Sequence, residues 1–332
     1  MRIRIDRGVL KKILCLAAVL FIMLDIILLL RAWENRQNIE AGGSSSTNGR
    51  NEPIDYNGVH YEPRRGIKTT LLMGVDKYFV DELGQGVQGE FEQADFLMLL
   101  VTDTRNETNT IIHINRDTMA EITILNNAGG RLGTYTAQIT LAHTYGGTDK
   151  IRSRNTVEAV SDLLKGVKIQ HYVSLGMDGM VALNELAGGV TVEVLDDFTG
   201  IDDTLVQGET VTLHGEQALT YIRQRHGMQD ATNIHRMERQ RQYIEALENQ
   251  LLEMSANDEE FVASSLLEIN DYLVSDCTVE QLSDLAESLE EYGIAEYRTL
   301  KGENVQGSQN MEYYIDEDAL METVLNLFYE PS

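Results

Sequence analysis

Four arginines of this acidic chain gather in one stretch: Tyr221-Ile222-Arg223-Gln224-Arg225-His226-Gly227, then Asp230, then Arg236-Met237-Glu238-Arg239-Gln240. A guanidinium presents a planar fork of donors that matches phosphate oxygens. Arg223 and Arg225 are two apart, and in an extended segment that spacing points both to one side, as adjacent phosphates require. Thr232 or Asn233 can cap the helix that follows, whose apolar stripe is Met237, Ile244, Leu247 and Leu251. Arg236 and Gln240 fall on or beside that stripe. Polar groups turned inward near a helix's positive end need a partner, and an anion suits them. Internal salt bridging by the many acidic residues explains any one of these arginines more easily than it explains the set.

Carboxylates are the natural complement. Asp76, Asp95, Asp103 and Asp117 stand at expected strand ends or adjacent loops, where such groups hold Mg²⁺ or activate a hydroxyl, and where each taken alone also reads as a turn or cap residue. His113, His143, His226 and His235 lack metal-ligand spacing, and neither a phosphate-cradling glycine loop nor a serine triad motif occurs. Zinc chemistry and nucleotide hydrolysis are therefore unsupported.

The elements that must position these groups follow from periodicity. Thr69 to Asp76 reads as a buried strand ending in a carboxylate; Phe96 to Thr102 and Thr110 to Asn115 read as a hairpin across a polar turn. Pairing Thr102 with Thr110 brings Asp95 within one residue of facing Arg116 at the end remote from the turn. Helices are expected near Ala137 to Tyr145, Thr156 to Leu164 and Asp178 to Leu186, with strands at Tyr172 to Leu175 and Val190 to Val194 between and after them. Further helices are expected at Ile234 to Met254, Glu259 to Leu267, Val279 to Leu289 and Ala319 to Phe328, with a last strand near Tyr297. Strands interleaved with helices predict an α/β fold, a three-layer α/β/α domain with a central mixed sheet, spanning 66–332.

Ahead of it, Ile13 to Leu30 is an 18-residue run that is apolar except for Asp25, long enough to cross a bilayer core of roughly 30 Å. Arg2, Arg4, Arg7, Lys11 and Lys12 precede it, which puts the arm 1–12 in the cytoplasm and everything after the span at 13–33 outside. The run is long for a cleaved leader and lacks a small-residue cleavage site. Asp25 sits near the outer interface or contacts another helix. Residues 34–65, with Gly42-Gly43-Ser44-Ser45-Ser46, read as a flexible linker. The whole chain of 332 residues carries 27 Lys and Arg against 53 Asp and Glu, a formal charge of -26, which excludes general adhesion to nucleic acid. Two cysteines, Cys15 in the apolar run and Cys277, exclude a disulfide framework, and Cys277 reads as a small buried residue.

The order of motifs resembles the LytR-CpsA-Psr family of membrane-anchored cell-wall enzymes. It is carried by Leu71-Leu72-Met73-Gly74-Val75-Asp76, Ala94-Asp95-Phe96-Leu97-Met98-Leu99, Asn115-Arg116-Asp117-Thr118, His143-Thr144-Tyr145-Gly146-Gly147, Leu186-Ala187-Gly188-Gly189-Val190 and the two arginine segments. The likeness runs from about Thr69 to Gln242 and continues weakly beyond. It implies transfer of a polyprenyl-pyrophosphate-linked glycopolymer to the C6 hydroxyl of a peptidoglycan muramic acid through a phosphodiester, assisted by Mg²⁺. It further implies that Asp95 binds the metal with Asp76 a second carboxylate, that Arg116 binds the pyrophosphate, and that Arg223, Arg225, Arg236, Arg239 and Gln240 lie in phosphate-contacting segments. Two departures stand out: Asn115 replaces a proline common before the Arg-Asp pair, and the loop from Lys77 to Gln93 lacks an arginine, leaving Lys77 as the nearest substitute. Two other readings stay open on the residues: a non-catalytic prenyl-pyrophosphate binder that regulates or scaffolds wall assembly, and simple hydrolysis of the pyrophosphate.

Overall fold

Side chains on a strand alternate between faces, and here both faces find an apolar partner. In the computed structural model, β3 (Ile67–Val80), β4 (Gly86–Asp103) and β5 (Thr108–His113) form the middle of a six-stranded sheet. Leu71, Met73, Leu97, Leu99, Val101 and Ile112 pack on one face against Ala159 and Val160 of α1 (Asp149–Leu163) and Leu320 and Val324 of α6 (Glu317–Phe328). On the other face Leu72, Met98, Leu100 and Ile111 meet Leu285 and Leu289 of α5 (Val279–Tyr292). Truncating any of these central leucines, such as Leu99→Ala, costs about 2–5 kcal/mol because nothing nearby can fill the gap.

The structure describes residues 51–80, 86–225, 232–255, 269–308 and 310–332. The expected membrane run with Asp25 and the expected helix Glu259 to Leu267 lie outside them, and among the described residues no helix is long and apolar enough to cross a membrane.

The sheet is mixed. Its order is β11 (Leu273–Ser275), β8 (His171–Gly176), β3, β4, β5, β12 (Glu296–Thr299), with β3–β8 and β5–β12 parallel and the other neighbours antiparallel. The hairpin β4–β5 forms, one residue out of the expected register: Thr102 pairs with Asn109 and Val101 with Thr110. The turn is set by Asp103, whose carboxylate accepts from the backbone N–H of Arg105 and Asn106. Continued past Met98–His113, this register brings Asp95 level with Arg116.

Other boundaries differ from expectation for local reasons. Ile54–Tyr56 (β1) and Val59–Pro63 (β2) lie in the stretch expected to be linker; Asn57-Gly58, both with positive φ, makes the hairpin turn, and β2 pairs in turn with β15 (Tyr329–Pro331). A hairpin of β6 (Met119–Leu125) and β7 (Arg131–Gln138) takes the start of the helix expected at Ala137, leaving a 3-10 turn at Ile139–Thr144. α1 starts before Thr156 because Thr148 caps it, accepting from the N–H of Ile151.

A second apolar cluster lies beside the sheet. There Val190 and Val192 of β9 (Val190–Glu193) and Leu213 of β10 (Thr210–Leu213) pack with α2 (Met177–Leu186), α3 (Gly215–Arg223) and α4 (Asn233–Ser255). Its helices aim their arginines at the end of the large sheet.

Candidate active site

Two irregularities in β3 and β4 turn carboxylates toward one end of the sheet. Gly74 pairs with Phe96 and Val75 with Ala94, so Asp95 is the extra residue of a β-bulge. Bulges re-aim side chains in this way. Gly74 is required opposite it: a Cβ there would lie 2.9 Å from the Phe96 Cβ. One residue past the bulge, Asp76 is buried beneath the same end.

The turn after β5 supplies Arg116 and Asp117. Asn115 stands where the resemblance implies a proline, and its side chain holds the turn together. Its Oδ1 accepts from the Asp117 N–H at 3.0 Å and from Nδ2 of Asn233 at 2.9 Å. A proline could make neither bond. The β5 exit is thereby tied to the first residue of α4, which carries Arg236 and Gln240.

Arg223 is the last residue of α3 rather than part of an extended segment, because Ala218, Leu219 and Ile222 are buried at helical spacing. The chain straightens at Gln224, and Arg225 follows. Both arginines still reach the same place.

The ion pairs interlock. Arg116 joins Asp95 through Nη1 and donates from Nη2 to Gln93 Oε1 at 2.6 Å. Arg223 pairs with Asp76, and Arg225 with Asp117 at 2.5 Å. Arg236 Nη1 stands 3.6 Å from Asp95 Oδ2. Asp117 also accepts from Gln138 at 2.9 Å, and Thr140 Oγ1 lies 3.4 Å from Asp95.

Burial alone would favour a neutral Asp95. The guanidinium groups of Arg116, then Arg236, Arg223 and Arg225, outweigh it and hold the carboxyl below its ordinary range. Around Arg236 the balance runs the other way: burial, with Arg116 and Arg225 adding repulsion against the pull of Asp95 and Asp117, pushes it down to about 9. Formally, Asp76, Asp95 and Asp117 face Arg116, Arg223, Arg225 and Arg236, leaving one positive charge over. Moreover, Arg236 Nε and Nη2 and Arg116 Nε are buried donors with no hydrogen-bond partner. Buried donors are left idle in folded proteins only rarely, and an anion with several oxygens would satisfy these.

Of the residues expected in the site, Asp76, Asp95, Arg116, Arg223, Arg225 and Arg236 are brought together. Gln240 lies beside them, its Nε2 donating to Ile222 O at 3.2 Å and its Oε1 unpaired. Arg239 does not join them. It is 1% exposed, and its nitrogens donate to Tyr221 O, Gln224 O and Asp196, with Phe198 and Tyr221 against its planar face. The side chain of Lys77 lies outside the described residues. Gln93, Thr140 and Gln138 were not expected; no local pattern marks them, since only the bulge and the β6–β7 hairpin bring them in.

Whether Mg²⁺ fits can be judged from the donors: Asp95 and Asp76 are carboxylates already engaged by arginines, and among the described residues they belong to no set of three close ligand groups. That suits Mg²⁺, which takes one or two protein carboxylates and completes its shell with phosphate and water, and suits poorly any metal needing a full protein cage.

A mixed sheet whose one end carries converging guanidinium and carboxylate groups with idle donors is a site whose chemistry suits an anion with several oxygens. The chain belongs to the LytR_cpsA_psr family, whose model matches residues 35–328. It is 29% identical over 257 residues to the polyisoprenyl-teichoic acid–peptidoglycan teichoic acid transferase TagV of Bacillus subtilis (strain 168), covering 73% of this chain and 58% of that one. It is 33% identical over 187 residues to the transferase of the same kind named TagU from Halalkalibacterium halodurans, covering 56% and 54%. The matches thus span little more than half the length of these relatives. The crystal structure of B. subtilis TagV shares the fold, with a TM-score of 0.57 and 24% identity over 80% of this chain and 96% of that one.

Proposed function

We propose that this chain is a phosphotransferase that moves a polyprenyl-pyrophosphate-linked anionic glycopolymer onto peptidoglycan through a phosphodiester bond. The observation that carries the reading is the surplus of guanidinium donors around the bulged Asp95, with Nε and Nη2 of Arg236 idle. Family membership and the printed names of the relatives support it.

In this reading Arg116, Arg223, Arg225 and Arg236 grip the pyrophosphate. The acceptor hydroxyl attacks the phosphorus that bears the sugar; a new P–O bond forms, the bridging P–O bond breaks, and polyprenyl monophosphate leaves with the hydroxyl's proton. Charge grows on the bridging and non-bridging oxygens, and donors fixed beforehand stabilise it without reorganising. Asp95 and Asp76 are the groups that would hold Mg²⁺, which when bound neutralises phosphate charge. Gln93 and Asp95 keep the Arg116 fork aimed. Gln240 completes the inner wall, whereas Arg239 braces α3 against α4. The apolar run at 13–30 would anchor the domain in the cell membrane as a single-pass protein with its N-terminus cytoplasmic, holding the site at the outer face beside its lipid substrate.

The test is the full chain in detergent with a lipid-pyrophosphate-linked oligosaccharide, Mg²⁺ and peptidoglycan fragments. Conjugate formation that disappears with Arg116→Ala is expected. Release of phosphorylated sugar without conjugate, or equal transfer by the variant, overturns the reading.

A further inference from the structure

The start of β8 and the exit of β11 bring together three side chains that the arginine cluster does not use. β11 runs antiparallel to β8 with Ser275 beside Val173, so the two residues after Ser275 come level with Tyr172 and His171. Among the described residues, His171, Asp276 and Cys277 are the one set of three metal-binding side chains whose ligand atoms all lie within 4.8 Å of one another. They stand at the opposite end of the sheet from the phosphate site. β8 is parallel to β3 and His171 pairs with Thr70, six residues ahead of Asp76, which at the rise of a strand is roughly 20 Å.

The backbone around the trio is held in place by the protein itself. Asp276 Oδ1 accepts from the Tyr172 N–H at 2.9 Å, and Ser275 Oγ accepts from the Cys277 N–H at 3.1 Å while donating to Tyr172 O at 2.7 Å. Cys277 Sγ reaches Tyr172 O at 3.9 Å, a weak thiol contact. His171 Nδ1 is different: it is a buried atom with no hydrogen-bond partner, although the ring as a whole is 27% exposed. It faces Asp276 Oδ1 at 3.6 Å, too far for a hydrogen bond. The protein alone gives this idle ring nitrogen, set between a carboxylate and a thiol, nothing to do.

A metal ion does. Ligand atoms at about 2.0–2.3 Å from a tetrahedral centre stand roughly 3.3–3.8 Å from one another, and Nδ1 and Oδ1 already have such a separation. The mixture of donors names the ion. Mg²⁺ and Ca²⁺ take oxygen, whereas imidazole nitrogen and thiolate sulfur beside one carboxylate suit Zn²⁺. Asp276 is 26% exposed, which leaves a side open for water as the fourth ligand.

We infer that His171 Nδ1, the Asp276 carboxylate and the Cys277 thiolate form a Zn²⁺ site, separate from the arginine cluster, that clips the edge strand β11 and the start of α5 to β8. Cys277 gives its proton to solvent as the sulfur–metal bond forms, and His171 binds through the Nδ1 lone pair with its hydrogen on Nε2. Thr278 caps α5 directly after Cys277, so the ion ties the sheet edge to the helix that covers Leu72, Met98, Leu100 and Ile111. Its role is to brace the fold, and the inference stands apart from the transfer reading.

The test uses the untagged full chain in detergent, stripped with a chelator and returned to buffer containing Mg²⁺. One equivalent of Zn²⁺ should bind per chain and raise the melting midpoint, and further Mg²⁺ should not. Co²⁺ in its place should give a sulfur-to-metal charge-transfer absorption that Cys277→Ser abolishes and Cys15→Ser leaves intact. His171→Phe and Cys277→Ser should each weaken Zn²⁺ by at least about a hundredfold, the top of the range for losing a group that only supports a ligand. Zn²⁺ binding at wild-type affinity in both variants, or a Co²⁺ spectrum of the wild type without the sulfur band, overturns the inference. The spectrum is read on the wild type, so it decides the matter even where a variant folds poorly.

Discussion

Arg236 and Arg239 lie one turn apart on α4, are both buried, and differ in what their donors do. Arg239 engages every nitrogen within the protein and lies against two aromatic rings. Arg236 reaches one carboxylate at 3.6 Å and leaves Nε and Nη2 idle. Burial of an arginine therefore says nothing of what it does; its hydrogen bonds do. A saturated guanidinium is a strut. An unsaturated one, in a cluster with surplus positive charge, keeps donors that a ligand with several oxygens would satisfy.

Four measurements press on that contrast. Arg116→Ala should lower transfer about a thousandfold, the upper range for removing a fixed donor from a developing oxyanion, with the thermal midpoint shifted far less than activity; kinetics beside a melting curve would show it. Arg239→Met should do the reverse, costing about 1–3 kcal/mol by leaving the carbonyls of Tyr221 and Gln224 without this donor and Asp196 with His235 alone, while the affinity for lipid pyrophosphate stays near wild type in whatever protein remains folded. A melting midpoint indistinguishable from wild type would remove Arg239 from the class of struts. Arg236→Met should cut transfer about a hundredfold and leave the midpoint unchanged or raised, because it deletes unpaired buried donors. Inorganic pyrophosphate should raise the midpoint of the wild type by mass action, and that rise should vanish in this variant.

The smallest effect concerns pH. Asp95 is held below its ordinary range, so the stability it lends is present above the unfolded-state value and is lost as pH falls through the lower, folded value. Acid unfolding of Asp95→Asn should accordingly show a shallower loss below the ordinary carboxylate range than the wild type. Parallel acid limbs would mean that Asp95 does not feel the arginines.

Much of this is legible in the residues. Continuous apolar runs at Leu71–Val75 and Leu97–Val101 mark central strands covered on both faces, and inward-facing polar groups on α4 mark Arg236 and Gln240. Arg239 enters the expected set through the resemblance, which carries a whole segment over and cannot report that Asp196 and two backbone carbonyls engage this one of its arginines. The register of the β4–β5 hairpin differs by one from expectation because Asp103 shapes its turn through side-chain bonds that no alternation encodes. Asn57-Gly58 is a strong hairpin signal that the surrounding polar composition masks.

The pairing of β15 with β2 has a consequence for how the molecule is made. Arg64 donates to the carbonyl of Tyr329, a closure across 265 positions. Contacts so distant form late, after the intervening chain has settled. The hairpin β1–β2 therefore depends on the last strand to cover its edge, and removing residues 329–332 should loosen the domain at that margin.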